Sequence, residues 1–331
     1  MAERRDPDFE KRLDTLRETA RERGEISTPG VRAAGGPIPQ RPGYHGEAVV
    51  RPPVWTWEIP VYFFVGGLAG MAPTIAVAAL FKHQPDVALT AMWLAAIGAL
   101  ISPILLVLDL GRPLMFLNML RVFKWRSPMS VGAWILSFFS PHAVLGLLAL
   151  ELQLHHTFGG TLGIVLRVFA ILLIAGALVY GLGLATYTGV LVGATAIPAW
   201  FLHRVLLPIH FGIAGLGSAT AALELLGHHL ASLNAIGYAV AGIETALWIW
   251  LEIDKHGKAD RALHEGKSGW LIRGGEILTG PLSLLLRLVG LAPFAGISFL
   301  CGAFVSRFGW LEAGRASGRD PEAVFAAQSA R

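Results

Sequence analysis

Cysteine is almost absent from this sequence, and charged residues are scarce. Cys301 is the only cysteine, and it lies inside an apolar block. One thiol can form no internal disulfide bond and cannot hold an iron–sulfur cluster, which requires several thiolate ligands. Cys301 is therefore expected to be a small buried hydrophobic residue, and any metal redox centre that works with this chain is expected to lie in another subunit.

Charged residues make up 15% of the 331 residues, whereas hydrophobic residues make up 54%. A soluble domain usually carries about a quarter charged residues. The mean hydropathy is +0.56, and the apolar residues form continuous blocks long enough to cross a bilayer, which takes about 20 residues of helix. Because these blocks do not alternate between apolar and polar residues, a transmembrane barrel is excluded. The sequence predicts an all-α polytopic membrane protein.

Several common motifs are also missing. Arg4 and Arg5 are not followed by an apolar segment, so no cleavable signal is predicted. The sequence has no phosphate-binding glycine loop, zinc motif or hydrolase nucleophile motif. The net charge of +4 is small and is explained by membrane topology, so nucleic acid is not an expected partner.

Eight apolar blocks predict eight transmembrane helices. They cover residues 58–81, 87–110, 128–152, 162–192, 200–226, 230–251, 277–289 and 291–308. The seventh block is short, and Arg287 interrupts it. This block is either a span whose arginine snorkels to the headgroups or an amphipathic helix at the interface.

The two ends of the chain are polar. In the amino-terminal arm, residues 1–57, the helical spacing of apolar residues predicts a short amphipathic helix at 7–23. Frequent proline and glycine exclude regular structure at 25–53. The arm is either disordered or lies extended over a partner subunit and becomes ordered on contact. Residues 311–331 are predicted to form a polar carboxy-terminal tail.

Basic residues are concentrated on one side of the predicted membrane. That side holds the amino-terminal arm, the 112–126 and 255–273 loops and the carboxy-terminal tail, whereas the opposite loops offer little beyond Lys82. Because cytoplasmic loops are enriched in Lys and Arg, both termini are predicted to be cytoplasmic. Basic residues that dock a partner or a ligand would produce the same bias without reporting topology.

The stretch 109–130 crowds polar residues at the end of the second block. Asp109 and Arg112 are three residues apart, close enough to face each other if the helix persists. They form either a structural ion pair that finishes the span or a site that binds a polar head group or relays protons, since ionisable residues at membrane depth are usually functional. Asn118 and Arg121 have the same spacing on the segment that follows.

Two further spans carry candidate site residues. Glu58 opens the first block, where it is either favoured by the helix dipole or accepts protons from a quinol. Tyr180 and Tyr187 lie two turns apart on the fourth block, and so nearly on one face. A buried tyrosine hydroxyl needs a partner, which is either another helix or a quinone carbonyl.

Glu224 and Glu244 lie inside the fifth and sixth blocks, where a carboxylate exposed to lipid would be costly. Both are expected to face the bundle interior or a water path, and proton conduction through them is a hypothesis. Five histidines are candidates for haem ligands: His142, His203, His210, His228 and His229. They do not repeat as paired ligands at matching depth, so no haem is expected.

Four segments carry a resemblance to a known family. The central segment is DLGRP (109–113) with FLNMLRVFK (116–124) and SPMSVGAW (127–134). The others are PVWTWEIPVYFF (53–64) with GGLAG (66–70), YTGVL (187–191) with PAW (198–200), and GRAS (314–317) before Asp320-Pro321. Over about residues 50–321 the chain resembles the NrfD/PsrC family, the quinone-interacting membrane subunits of polysulfide-reductase-type complexes.

The resemblance implies eight helices in two four-helix bundles, residues 58–192 and 193–310, without haem. It implies a menaquinone or ubiquinone site in the first bundle, near the side where a ferredoxin-like subunit with several 4Fe–4S clusters docks. It also implies a catalytic subunit that carries a molybdenum or tungsten bis-pterin. The chain would then be the quinone-reactive subunit of a respiratory oxidoreductase in the bacterial cytoplasmic membrane, and the arm 1–57 would grip a partner.

The resemblance also implies site residues. Carried over to this sequence, the quinone-pocket positions and motif positions are Glu58, Tyr62, Asp109, Arg112, Asn118 and Tyr187. Where relatives place an Asn or His in the first span, this chain has Glu58.

Two functions from other classes remain open. A secondary transporter or proton channel would show short, Gly/Pro-broken spans in corresponding positions of two repeated halves, whereas here only the seventh block is short and no repeat is evident. A non-redox membrane anchor predicts that Asp109 and Arg112 can be neutralised without loss of activity.

Overall fold

A computed structural model describes residues 50, 52–110, 113–156, 159–254 and 256–329, together with Thr15 and Glu18. Within these residues the regular structure is entirely helical, as the sequence predicted. Thr15 and Glu18 are helical and exposed, and the rest of the predicted helix 7–23 lies outside the described residues. Most of the arm 25–53 and the predicted site residue Arg112 also lie outside them.

Twelve α-helices follow residue 57 in the described part of the chain. In chain order they are α1 (Glu58–Phe81), α2 (Pro85–Asp109), α3 (Pro128–His155), α4 (Gly160–Gly193), α5 (Pro198–Leu202), α6 (Leu206–Leu225), α7 (Ala231–Ile253), α8 (Arg261–His264), α9 (Gly266–Thr279), α10 (Pro281–Leu288), α11 (Ala292–Arg319) and α12 (Pro321–Ser329). Two 3-10 helices lie at Pro113–Leu120 and Gly257–Asp260.

Seven of these helices, α1 to α4, α6, α7 and α11, are long and apolar enough to cross a membrane. They correspond to the predicted blocks one to six and eight. The fifth block is divided, because the short helix α5 is separated from α6 by a turn at residues 203–205. The protein is thus built as a polytopic helical membrane protein.

The seventh block, 277–289, falls on the end of α9 and on α10, which meet at Gly280. The break has a local cause: Pro281 has no N–H to donate to the preceding turn, and its ring restricts the residue before it, so a new helix begins there. Neither α9 nor α10 is long enough to span a bilayer by itself. Eight spans in two four-helix bundles therefore remain a prediction.

The eighth block was predicted to end at Phe308, but α11 continues to Arg319 and is followed by α12. Charged residues ended the apolar pattern, yet Trp310, Leu311 and Ala313 are buried against the rest of the protein. The prediction of a buried Cys301 is wrong, because its side chain is exposed on α11. A small thiol on the outer face of a membrane-length helix can face lipid without an unfavourable contact with water.

Helix α1 is central: it packs against α2, α4 and α6, while α3 packs against α4 and α2. Its crossing with α4 depends on two glycines. A Cβ atom built on Gly70 would lie 2.5 Å from the carbonyl oxygen of Gly181, and one on Gly181 would lie 2.2 Å from that of Gly70. Small residues are what close helix approach in membranes requires, so the two backbones touch only because neither position carries a side chain.

Candidate functional site

A cavity of about 460 Å³ lies among α1, α2, α3, α4 and the 3-10 helix Pro113–Leu120. Its walls are mainly aliphatic and aromatic. Its polar lining residues are Tyr62, Asp109, Ser137, Ser140 and Tyr187. An apolar cavity of this size with a few polar groups is typical of small-molecule sites.

Tyr62 lies on α1 and is 1% exposed. Its hydroxyl has no hydrogen-bond partner among the residues that the structure describes, and the same is true of the Ser102 hydroxyl on α2. Both approach Gly66, whose added Cβ would lie 3.4 Å from the Tyr62 ring and 3.7 Å from Ser102 Oγ. A buried hydroxyl without a partner carries a desolvation cost, which a polar group bound in the cavity would relieve.

Tyr187 lies on α4, and its ring packs against the backbone of Gly132 on α3. A Cβ atom at Gly132 would lie 1.8 Å from Cζ of the Tyr187 ring. Any larger residue at position 132 would therefore occupy the space of the ring. Gly132 fixes where the Tyr187 side chain lines the cavity, a role that the sequence pattern did not reveal.

Thr56 connects two predicted site residues. Its hydroxyl donates a hydrogen bond to the Glu58 carboxylate, and its backbone N–H donates to Asp109 Oδ1 at 3.5 Å. Asp109 lines the cavity, whereas Glu58, which is half-buried, does not. Sequence reasoning missed Thr56, although a threonine just before a helix start is a common capping residue.

The remaining predicted residues of this region are not gathered at the cavity. Asn118 is exposed on the 3-10 helix, whose Phe116 and Met119 line the cavity instead. Tyr180 was predicted to share a face with Tyr187, but its ring stacks on Phe138, with the ring centroids 5.2 Å apart. The roles predicted for Asn118 and for the pair of Asp109 with Arg112 stay predictions.

The entrance segment of the cavity is tied to the last long helix. Trp55 lines the cavity and stacks on Trp200 with a centroid separation of 5.7 Å. The Arg315 guanidinium on α11 donates to the Trp55 carbonyl oxygen. The indole N–H of Trp200 donates to the Trp310 carbonyl at 2.7 Å, so α5, α11 and residue 55 form one packed unit.

Glu224 lies in a buried ion pair. Both of its carboxylate oxygens accept hydrogen bonds from Arg287, at 2.7 and 2.8 Å, and Arg287 also donates to Asn234 at 2.9 Å. Arg287 is 3% exposed, so the interpretation that it snorkels to the headgroups is wrong. A carboxylate partner inside the protein offsets the cost of burying the guanidinium, which makes the longer route to the interface unnecessary.

Glu244 belongs to a second buried cluster. Its carboxylate lies 2.8 Å from Nδ1 of His210, whose Nε2 lies 3.3 Å from Glu276 and 3.0 Å from Ser306 Oγ. Glu224 and Glu244 therefore face the interior as expected, but within the described residues no direct contact joins their two clusters.

A third polar cluster lies at the end of α5, outside the seven long helices. It contains His203, His256 and Asp260. Burial lowers the pKa of His203, and the nearby Asp260 carboxylate opposes that effect in part. His203 is consequently a neutral imidazole near pH 7, the form that can accept a hydrogen bond or ligate a metal.

Comparison with known proteins identifies the family. A family model described as "Polysulphide reductase, NrfD" matches residues 46–253, a range that contains every residue of the cavity. The protein is 30% identical over 189 residues to the C subunit of polysulfide reductase from Wolinella succinogenes, covering 53% of this sequence and 58% of that protein. It is also 30% identical over 200 residues to "Protein NrfD" of Escherichia coli, covering 55% of this sequence and 61% of that protein.

The matched part spans about three fifths of each of these two relatives. The family match covers well over half of this chain, and it agrees with the resemblance carried by the DLGRP segment and its neighbours. Together with the seven membrane-length helices, these findings identify the chain as an integral membrane protein of the NrfD family.

Proposed function

We propose that this protein binds a quinone or quinol in the 460 Å³ cavity and exchanges electrons between the membrane quinone pool and an iron–sulfur partner. The observation that carries the proposal is the unpartnered hydroxyl of Tyr62 in an otherwise apolar cavity. A quinone ring is flat and apolar with two carbonyl acceptors. Aromatic walls with few hydroxyl donors suit such a ligand, be it menaquinone or ubiquinone.

The cavity residues divide the work by their chemistry. A bound quinone supplies two-electron, two-proton redox chemistry. Tyr62 and Tyr187 are suited to donate hydrogen bonds to its carbonyl oxygens and so to orient it. Asp109 can accept or return a proton at the cavity wall, and Thr56 connects Asp109 with the half-buried Glu58. This series of polar groups provides a route for protons between the cavity and the surface.

The partners are part of the proposal. One relative is named as a lettered component of polysulfide reductase, a name that denotes one subunit of a larger enzyme. Exposed basic residues, Arg121, Lys124 and Arg126, follow the 3-10 helix that borders the cavity. We infer that a ferredoxin-like subunit with several 4Fe–4S clusters docks on this side, and that a molybdenum or tungsten bis-pterin subunit completes the enzyme.

The topology proposed for this function is eight spans in two four-helix bundles in the bacterial cytoplasmic membrane, with both termini cytoplasmic. Helices α9 and α10 would together supply the missing crossing. Both pack against α7 and α11, and their buried Glu276 and Arg287 find partners inside the protein. The arm 1–57 would bind the partner subunit.

Proton conduction is a second candidate function. It is favoured by the buried cluster of His210, Glu244 and Glu276, because carboxylates and an imidazole inside a membrane protein commonly carry protons. Glu224 would contribute only if its pair with Arg287 opens. This function can accompany quinone chemistry or occur without it, as in a channel or transporter.

The test uses the intact purified complex, with quinone content and quinol-linked turnover as readouts. Tyr62→Phe removes one hydrogen bond, worth about 1 kcal/mol, and is expected to weaken quinone affinity about fivefold. Asp109→Asn is expected to lower turnover more than affinity. The matched control is Tyr180→Phe, on the same helix as Tyr187 but outside the cavity, which should behave as wild type.

The proposal fails if the complex retains no quinone and Tyr62→Phe leaves quinol-linked turnover unchanged. Normal turnover in Asp109→Asn together with normal turnover in Glu58→Gln would instead support a non-redox membrane anchor.

A further inference from the structure

The cluster at the end of α5 places three potential metal ligands together. One ligand atom each of His203, His256 and Asp260 lies within 4.8 Å of the other two. Asp260 Oδ2 lies 2.8 Å from Nδ1 of His256, and Oδ1 lies 3.9 Å from Nδ1 of His203. The three side chains come from two separate segments, the turn after α5 and the 3-10 helix Gly257–Asp260 with the residue before it.

Two buried polar atoms of this cluster have no hydrogen-bond partner among the described residues. They are Oδ1 of Asp260, whose residue is 1% exposed, and Nε2 of His203, whose residue is 3% exposed. An anionic oxygen buried without a donor or a cation is costly. Two such atoms in one cluster indicate that the cluster is built to receive a positively charged ligand.

The other polar atoms of the same side chains are held by the backbone. Nδ1 of His203 lies 2.9 Å from the Ala199 carbonyl oxygen, and Asp260 Oδ2 accepts the His256 backbone N–H at 2.8 Å. Backbone bonds of this kind orient the histidines and carboxylates of metal sites. The residues are therefore positioned before any ion arrives.

We propose that His203, His256 and Asp260 bind a divalent first-row metal ion such as Zn²⁺. Two imidazoles and one carboxylate form a donor set that suits these metals. Metal–ligand bonds of about 2.0–2.2 Å in a tetrahedral site separate the ligand atoms by about 3.3 Å, so the 3.9 Å gap between His203 and Asp260 must narrow by less than about 1 Å. The His256 side chain is 33% exposed, which gives the ion a path and leaves a position for water.

The site differs from the proposed quinone function in place and in sequence range. His256 and Asp260 lie beyond the family match, which ends at residue 253. A metal ion there would clip the 256–260 segment to the turn between α5 and α6. Its expected effect is on the stability of this end of the protein, independent of the cavity.

The test is a titration of Zn²⁺, and of Co²⁺ as a spectroscopic probe, into the full-length protein. The protein is purified in detergent without a histidine tag and stripped with a chelator. We expect about one ion per protein molecule, a visible Co²⁺ absorption band, and a Tm that rises with Zn²⁺. His256→Gln and Asp260→Asn should weaken binding at least tenfold and abolish the Tm rise.

His229→Gln, at an exposed histidine elsewhere, is the matched control and should bind as wild type. Because His256 is partly exposed, His256→Gln is expected to fold even if Asp260→Asn does not. Absence of stoichiometric binding, or binding that His256→Gln leaves unchanged, would overturn the proposal.

Discussion

The contact between Gly132 and Tyr187 offers a sharp test of how the cavity is built. In Gly132→Ala the new Cβ atom would lie 1.8 Å from Cζ of the Tyr187 ring. Carbon atoms in contact normally lie about 3.5–4.0 Å apart, so the ring or helix α3 must move by about 2 Å. Overpacking of this kind typically costs about 1–3 kcal/mol.

The displaced ring carries its hydroxyl away from the position where it can meet a quinone carbonyl. Loss of that hydrogen bond, about 1 kcal/mol, predicts a roughly fivefold weaker quinone affinity in addition to a lower Tm. Quinone titration and thermal unfolding of the same purified complex measure the two effects separately. A change in Tm without a change in affinity would remove Tyr187 from the quinone site.

The matched control is Gly242→Ala on α7, where an added Cβ meets no atom within 4 Å. Alanine is favoured over glycine inside a helix by up to about 1 kcal/mol, so this variant should unfold at the same or a higher temperature. If Gly132→Ala kept both the Tm and the quinone affinity of the wild type, the packing of Tyr187 against α3 would be incorrect as described.

Two further variants test the second half of the protein. Glu224→Gln leaves the buried Arg287 guanidinium without its carboxylate partner, and a loss of about 3–5 kcal/mol is expected in thermal or denaturant unfolding. Replacing Glu224 and Arg287 together by leucine should restore much of that loss, and a double variant no better than the single one would contradict the pairing. Gly314→Ala would put a Cβ 1.9 Å from the Trp200 ring and should cost about 1–3 kcal/mol, so an unchanged Tm would show that this packing is looser than described.

The starts of the spans were readable from the sequence because their signals are local. Glu58 and Pro128 begin α1 and α3 where the apolar runs begin, and the break before Pro281 follows from the chemistry of proline. The family resemblance in the 109–134 segment was confirmed by the comparisons. These features depend on residues that lie close together in the chain.

The partners of buried charges could not be predicted in the same way. Glu224 and Arg287 are 63 positions apart, and no periodicity links them. A lone arginine in a short apolar block looks like a residue that reaches for the interface, and only the packing of α6 against its neighbours supplies the buried acid. The His210 cluster was missed for the same reason, since Glu276 and Ser306 come from two other helices.

At the cavity the sequence identified side chains but not the positions that place them. Tyr62, Asp109 and Tyr187 were candidates, and all three line the cavity. Thr56 and Gly132 were not candidates, because the functional effect of a threonine or a glycine depends on which side chain another helix brings against it. The predicted site was thus a set of suitable chemical groups, and the structure adds the residues that support them.

The glycine contact between α1 and α4 has a consequence for variation in this protein. Tyr62 and Tyr187 are carried by the two helices that meet at Gly70 and Gly181, backbone against backbone. The spacing of the tyrosines therefore depends on a contact distance between main-chain atoms, which no change of rotamer can adjust. Variants of the cavity wall can change the shape of the ligand that fits, while a single added methyl group at Gly70 or Gly181 would alter the separation of the two hydroxyls at once.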